Sequence, residues 1–313
     1  MNQLPTLPFF KDGALMIDNS TMELFATCNR AFYYNAVKRR ELDATRAALN
    51  FGTQFHSAME WRYKTFGQDL TGENSENIAE YGVQLMRANP NPLDDYRNDD
   101  YMRDVLRAYC ASNQSEPFTV VRDSDGQPIV ERPFAIPLGQ IHHRDLTDPV
   151  PVIWTGRVDL LVQWQDGTMS TLDHKTSSMG GESYFDEYLN SQPQIGYLWA
   201  ARKAFNTKLN TFIINATFVR KPAKTVTAKG TTFDRKRFYV PEDKITEWET
   251  NVMEQCYDVV DKAVRGVFPM TTKSCVGKYG RCQYIDVCGM PPSSREGALA
   301  SGLFRDVTWN PLH

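Results

Sequence analysis

Apolar residues recur along this chain with two different periods. Over residues 21 to about 36 and about 46 to 66 they return every three or four positions, and in the second run Leu49, Phe51, Phe55, Met59 and Trp61 mark one side. That period predicts amphipathic helices, and Ser20 with Glu23 makes an S-x-x-E capping box at the head of the first. Residues 67–100 carry Gly, Asn and Pro clusters (GENSEN, NPNP) around one short helical run, which predicts a surface insertion; a helix near residues 101–113 extends it to about 67–115. Beyond it the pattern turns to strands. Two are predicted over 118–138 around Ser124, Asp125 and Gly126, a long hairpin over 152–177, and two more over 211–219 and 233–240 joined by a basic loop. Helices are predicted over 185–205 and 242–265, the latter with Ile245, Trp248, Val252 and Val259 on one side, before an irregular tail from residue 267. Helices around a central group of strands make the expected class α/β or α+β.

Composition narrows the function classes. The 313 residues are 41% hydrophobic and 23% charged, ordinary for a folded globular protein and unlike a disordered or coiled-coil chain. With 35 Lys+Arg against 38 Asp+Glu the net charge is −3, which excludes a histone-like polycation and leaves room for local basic patches. No stretch approaches the ~18 apolar residues of a membrane span. The opening MNQLPTLPFFKDG lacks the basic and apolar segments of a signal peptide, so a cytoplasmic protein without membrane contact is expected. Six cysteines are too sparse for a disulfide scaffold in a chain this long; in a reducing cytoplasm, clustered cysteines are expected as metal or cluster ligands.

The segment richest in chemistry is GRVDLLVQWQDGTMSTLDHKTSS, residues 156–178. Gln165, Asp166 and Gly167 fit a three-residue hairpin loop with Gly at the left-handed position, which pairs Trp164 with Thr168. Counting back, Asp159 falls across from Asp173, and Lys175 shares their face, while Leu160, Val162, Ser170 and Leu172 take the other. Directly opposed carboxylates repel each other, and burial adds a desolvation penalty. A divalent cation between them removes both effects, and oxygen ligands suit Mg²⁺ or Mn²⁺. The Lys175 ammonium is then placed to stabilise charge growing on a phosphate. A solvated hairpin with a surface Asp–Lys pair is the plainer reading of D…D-x-K by itself; the apolar neighbours in VDLLV and TLDHK favour a central strand pair.

Four motifs, taken in order, resemble the PD-(D/E)XK nuclease superfamily, and within it the RecB/AddB-type branch that includes CRISPR-associated adaptation nucleases and phage exonucleases. They are G-x-x-x-H at Gly52–His56, G-x-x-D at Gly156–Asp159, D-x-K at Asp173–Lys175, and a helical Gln194…Tyr197 standing for Q-x-x-x-Y. Each is weak alone; the ordered set, spread over roughly residues 20–290, is specific. The resemblance implies a restriction-endonuclease-like core at about 118–240, a central mixed β-sheet flanked by helices within one nuclease domain. It implies metal ligation by His56, Asp159, Asp173 and the backbone carbonyl of His174, catalysis by Lys175, support from Gln194 and Tyr197, and a further carboxylate from Glu131. Gly52, one turn before His56, would let its helix approach the sheet closely. In isolation His56 reads more simply as a core histidine bonded to Glu60.

Cys28 lies within CNRAFYY, and Cys275, Cys282 and Cys288 follow in the tail as C-x6-C-x5-C. One N-terminal and three C-terminal cysteines resemble the AddB-type iron–sulfur nucleases; their C-P-x-x-F here has Asn29 in place of Pro and keeps Phe32. Four thiolates hold either a [4Fe–4S] cluster or a structural Zn²⁺. The spacing is unlike a two-knuckle zinc site, and the resemblance implies the iron cluster, in a lobe of residues 20–36 and 267–290. Cys110 and Cys256 lie in helical runs and are expected in the core.

Arg157, Lys221, Lys224, Arg235, Lys236 and Arg237 are candidate phosphate contacts, with Lys38, Arg39 and Arg40 behind the first helix; Tyr33, Tyr34, Tyr184 and Tyr188 are candidates for stacking on unpaired bases. Taken singly, each reads more simply as a solvated charge or a core aromatic. With the resemblance, they imply a Mg²⁺- or Mn²⁺-dependent DNA exonuclease acting at DNA ends, preferably on single strands. A structure-specific endonuclease and a non-catalytic recombination accessory protein are the alternatives. The chain has no G-x-x-x-x-G-K-[ST] loop, so unwinding would fall to a helicase or recombination partner.

Overall fold

The computed structural model describes residues 10–11, 13–44, 46–221, 231–277 and 280–308. Along the chain come β1 (Phe10–Lys11), β2 (Ala14–Ile17), α1 (Asn19–Thr27), α2 (Asn29–Phe32), a π-turn (Tyr33–Val37), β3 (Arg40–Leu42), α3 (Ala47–Thr65), α4 (Gly72–Ala88), α5 (Asp99–Ser112), β4 (Phe118–Val120), β5 (Val130–Ile141), β6 (Val150–Trp164) and β7 (Met169–Ser177). A 3₁₀ stretch (Glu182–Tyr188) leads to α6 (Gln192–Phe205), β8 (Thr211–Phe218), β9 (Thr232–Tyr239) and α7 (Glu242–Arg265). The tail adds β10 (Val276–Gly277), β11 (Gly280–Arg281), α8 (Ile285–Gly289), α9 (Arg295–Leu299) and β12 (Phe304–Asp306). A mixed sheet runs in the order β1-β2-β6-β7-β8-β9, with β4 and β5 also paired to β6. β2/β6 and β7/β8 are parallel, β6/β7 and β8/β9 antiparallel. This is the expected class, a central mixed sheet with flanking helices. Among the described residues no helix is long and apolar enough to cross a membrane.

The chain divides into two compact units, one of which comprises Thr45–Arg132 and Arg157–Glu242. In it β8 (TFIINATF) is buried along nearly its whole length between β7 and β9, as an almost continuous apolar run requires. Residues in register across these strands share a face. Asp173, Ile214 and Lys236 lie on one; His174, Asn215 and Arg235 lie on the other. α3 covers the His174 face, packing Tyr63 against Leu160, Val162 and Leu172, while α6 covers the Asp173 face through Gln194. The stretch expected as a surface insertion is instead part of the core: Ile78, Ala79 and Met86 of α4 join Phe51, Phe55, Leu106 and Tyr109 in one buried cluster. Its apolar and small residues recur at helical spacing, and a Cβ on Gly82 would collide with Leu106, so α4 and α5 pack in close contact.

The other unit comprises Met1–Ala44, Pro133–Gly156 and Asp243–His313. Here the helix expected over residues 21–36 is broken. Asp18, not Ser20, caps α1 by accepting from the Thr21 amide at 2.7 Å, and Cys28 is extended (φ −163°) between α1 and α2. Along α7, Ile245, Trp248, Val252, Cys256 and Val259 are buried at helical spacing, with Trp248 edge-on to Trp154. The tail, expected to be irregular, packs Tyr284, Val287, Leu299 and Phe304 against Ala31 and Tyr34, and β12 pairs with β3.

Candidate active site

The hairpin register sets the geometry. The Trp164 amide donates to the Thr168 carbonyl (2.8 Å), Gly167 takes φ +81°, and the ladder runs from Gln163↔Met169 to Leu160↔Leu172. This is the register of the three-residue loop, and it brings Asp159 opposite Asp173. The β6/β7 ladder ends there, whereas β7 continues to Ser177 alongside β8. The two strands therefore part at the two carboxylates, and His56 reaches in from α3. That approach depends on Gly52, where a Cβ would lie 2.9 Å from Thr176 Oγ1. Gly52→Val is expected to cost about 1–3 kcal/mol in thermal unfolding and, by displacing His56, to weaken Mn²⁺ binding about tenfold in a titration. Wild-type affinity in that variant would show that the α3 contact does not position the histidine.

Asp173 Oδ2 receives both the Lys175 ammonium (2.6 Å) and the Gln194 amide (2.5 Å), which leaves Oδ1 buried and without a hydrogen-bond partner. Asp159 Oδ2 is likewise buried without a hydrogen bond, 3.4 Å from His56 Nδ1. Glu131 brings Oε1 to 3.9 Å from the same nitrogen. It does so from φ +47°, a left-handed conformation inside β5 that disfavours a residue with a Cβ by about 1–2 kcal/mol. His56, Glu131 and Asp159 offer ligand atoms within 4.8 Å of one another. Burial and the Asp173 charge push the Asp159 carboxyl well above its usual range; for Asp173 burial acts the same way, but the Lys175 ammonium outweighs it and holds the group low. Burial would lower His56, yet the Glu131 contact and the Asp159 and Asp173 charges raise its imidazole to about 8. Burial likewise opposes the charge on Lys175, and the two aspartates overcome it, so this side chain is a cation and not a base. Two orphaned carboxylate oxygens and an imidazole fit a divalent cation.

The remaining candidates divide by face. The His174 imidazole points away from Asp173 toward Asn215, so a contribution from residue 174 to a cation falls to its backbone carbonyl. Gln194, not the exposed Gln192, is the glutamine that touches Asp173; Tyr197 is half-buried one turn on. Glu60 pairs with Lys64 at 2.5 Å. Arg157 lies at the rim, 3.5 Å from Glu131 Oε2. Along β9, alternation sends neighbouring basic residues to opposite faces. Lys236 sits over the Phe185 and Phe238 rings on the Asp173 face, and Arg237 sits over Trp164 on the other. Arg235, expected to contact phosphate, is instead engaged below the sheet, donating to Glu116, Asn215 and Asn113. Lys221 is exposed, and Lys224 lies outside the described residues. Lys38 and Arg40 are held by Glu296 and Asp306, and Tyr34 is a core residue. Tyr184 and Tyr188 are half-buried with hydroxyls 3.1 Å apart. Burial raises both above the usual tyrosine value, and Tyr184 packs edge-on against Phe218.

In the other unit Cys28, Cys282 and Cys288 pack against one cluster, the Thr271 amide donates to Cys28 Sγ (3.4 Å), and the Cys282 amide donates to the Cys275 carbonyl (2.9 Å). All four cysteines are half-buried. The local pattern pointed to none of Arg62, Tyr109 and Glu116, which are joined to His174 through Tyr109 and Asn215; only Asn215 left a signal, as a polar residue inside TFIINATF.

A family model described as the PD-(D/E)XK nuclease superfamily matches residues 19–289. No curated protein matches the chain. Among solved structures, the crystal structure of SSO0001 is similar over 77% of this chain and 84% of its own, at 12% identity and a TM-score of 0.29, a likeness too slight to carry an argument. The family match spans most of the chain and takes in the strand pair whose carboxylates face each other beside a lysine; the chain belongs to the PD-(D/E)XK nuclease superfamily.

Proposed function

We propose that this chain is a Mg²⁺- or Mn²⁺-dependent DNA exonuclease that hydrolyses phosphodiester bonds from DNA ends and prefers single strands. Membership of the superfamily makes it a nuclease, and His56, Glu131 and Asp159 make a metal-binding group. The observation that carries the catalytic reading is the pair of buried, orphaned oxygens, Asp159 Oδ2 and Asp173 Oδ1. His56, Asp159, Asp173, Glu131 and the His174 carbonyl would hold a divalent cation, which when bound would supply Lewis acidity toward a phosphate and a water. The protein's own groups orient the reaction. Gln194 and Lys175 hold Asp173 Oδ2, which keeps Oδ1 free for the cation. Lys175, charged throughout the neutral range, offers its ammonium to the phosphate oxygens as negative charge grows. Arg157 and Lys236 are cations for flanking phosphates. Tyr184 and Tyr188, half-buried, offer faces on which unpaired bases stack, and this favours a single strand. A helicase or recombination partner would supply such strands from duplex DNA.

A [4Fe–4S] cluster on Cys28, Cys275, Cys282 and Cys288 completes the reading. The four cysteines are half-buried, and the Thr271 amide donating to Cys28 Sγ suits a thiolate ligand. Anaerobically purified protein is expected to be brown and to contain about four iron atoms per chain. Zinc alone would overturn the cluster.

A time course with Mn²⁺ on end-labelled linear single- and double-stranded DNA, beside a closed circular single strand, tests the activity. Progressive release of short products from linear single strands, with the circle intact, is expected. Cutting of the circle would make the protein an endonuclease. Inertness on every form would favour the accessory role.

A further inference from the structure

On the face of the sheet opposite Asp173 and Lys175 lies a chain of buried polar contacts that the proposed mechanism does not use. Glu116, its side chain 1% exposed, takes Arg62 on Oε1 (3.1 Å) and Arg235 on Oε2 (2.7 Å). Arg235 Nε donates to Asn215 Oδ1 (3.0 Å), and another arm of its guanidinium reaches Asn113 Oδ1 (3.3 Å). With its oxygen so engaged, Asn215 presents its amide nitrogen to the Tyr109 hydroxyl (2.7 Å) and to His174 Nδ1 (2.9 Å). An amide nitrogen only donates, so His174 Nδ1 accepts and the ring proton sits on Nε2. The imidazole is wedged among the rings of Phe55, Tyr63 and Tyr109 and lies edge-on to His56, with centroids 6.1 Å apart.

We propose that Arg235 is a positioning residue for the metal site and not a phosphate contact. Through Asn215 it locks the His174 ring, and with it the backbone that aims Asp173 and Lys175 and the surface that backs His56. This inference rests on the metal-site reading above. The physical link is the strand itself: neighbours in a β-strand point to opposite faces, so pinning the middle side chain of Asp173-His174-Lys175 from below fixes the direction of the two above. Arginine suits the task because its planar fork serves Glu116, Asn215 and Asn113 together while lying over the Phe118 ring (5.0 Å). A lysine ammonium has neither the fork nor the plane.

Arg235→Lys and Asn215→Leu test the proposal. Asn215→Leu keeps nearly the same shape and removes both the acceptor for Arg235 and the N–H given to His174. Three quantities are read for each: Mn²⁺ affinity without DNA, turnover, and metal-free DNA affinity as a function of salt. Both variants are expected to bind Mn²⁺ about 10–100-fold more weakly and to turn over more slowly, with DNA affinity and its salt slope unchanged. A phosphate contact behaves in the opposite way: Arg235→Met would then lower DNA affinity and reduce the salt slope by about one unit, Arg235→Lys would restore both, and Mn²⁺ affinity would stay at the wild-type value. That outcome overturns the proposal. If Arg235→Lys fails to fold, Asn215→Leu decides alone, and wild-type Mn²⁺ affinity in the folded Asn215→Leu protein also overturns it. Asp159→Asn is the reference: wild-type Mn²⁺ binding in that variant would sink the metal-site reading itself, and this inference with it.

Discussion

Asp159→Asn is expected to lose Mn²⁺ binding and to cut linear DNA at least about 10³-fold more slowly, while its metal-free form melts at or slightly above the wild-type temperature. The two effects have one cause. In the metal-free protein Asp159 is the member of the opposed pair driven to take up a proton, by burial and by the Asp173 charge. A neutral amide there removes the repulsion but leaves a cation without a charged ligand. Groups assembled for a cation are strained in its absence, so function and stability move in opposite directions. Lys175→Ala separates binding from chemistry at the same site. It takes away a positive charge 2.6 Å from Asp173, so Mn²⁺ is expected to bind at least as tightly, while turnover falls about 10²–10³-fold through loss of the ammonium at the phosphate. A marked loss of stability in Asp159→Asn, seen by calorimetry without metal, would make the carboxylate pair a structural element and remove the argument for catalysis.

Glu116→Ala is expected to destabilise the fold by about 3–5 kcal/mol in urea unfolding, against a total of about 5–15 kcal/mol for a typical domain. Glu116 is one carboxylate between two guanidinium groups, and the Arg62 side chain is 0% exposed. Removing it leaves a cation buried without its partner, which is far worse than losing a surface pair. The contrast is available within the same unit: Arg107 and Glu76 lie 2.6 Å apart but are 48% and 57% exposed, and Glu76→Ala is expected to change stability by less than about 1 kcal/mol. Equal effects of the two substitutions would mean that water reaches Glu116. Because Arg235 loses an anchor in Glu116→Ala, the folded fraction of that variant is also expected to bind Mn²⁺ more weakly.

The candidate site was legible in the sequence where local rules apply. A three-residue loop ending in Gly167 sets the register, and counting along two strands then places Asp159 across from Asp173 and Lys175 on the same face. Helical spacing is enough to put Gly52 one turn before His56, and the structure gives that glycine its reason in Thr176. Gln194 was found by its place in a motif, and its contact with Asp173 explains the choice over Gln192. Other expectations failed where the deciding partner is remote. The Gly- and Asn-rich start of α4 resembled a surface loop, because its apolar stripe becomes a core only when α3 and α5 close over it. Arg235, one of three consecutive basic residues, resembled a phosphate contact, and its partner Glu116 lies 119 positions away.

What the sequence alone determined, then, is the set of facing groups within the hairpin and along single helices, because turn geometry and helical period act over a few residues. Only the tertiary structure decided which charges face water and which are buried against one another. A side chain's environment is set by elements far apart in the chain, and no local pattern of apolar and polar positions encodes their meeting.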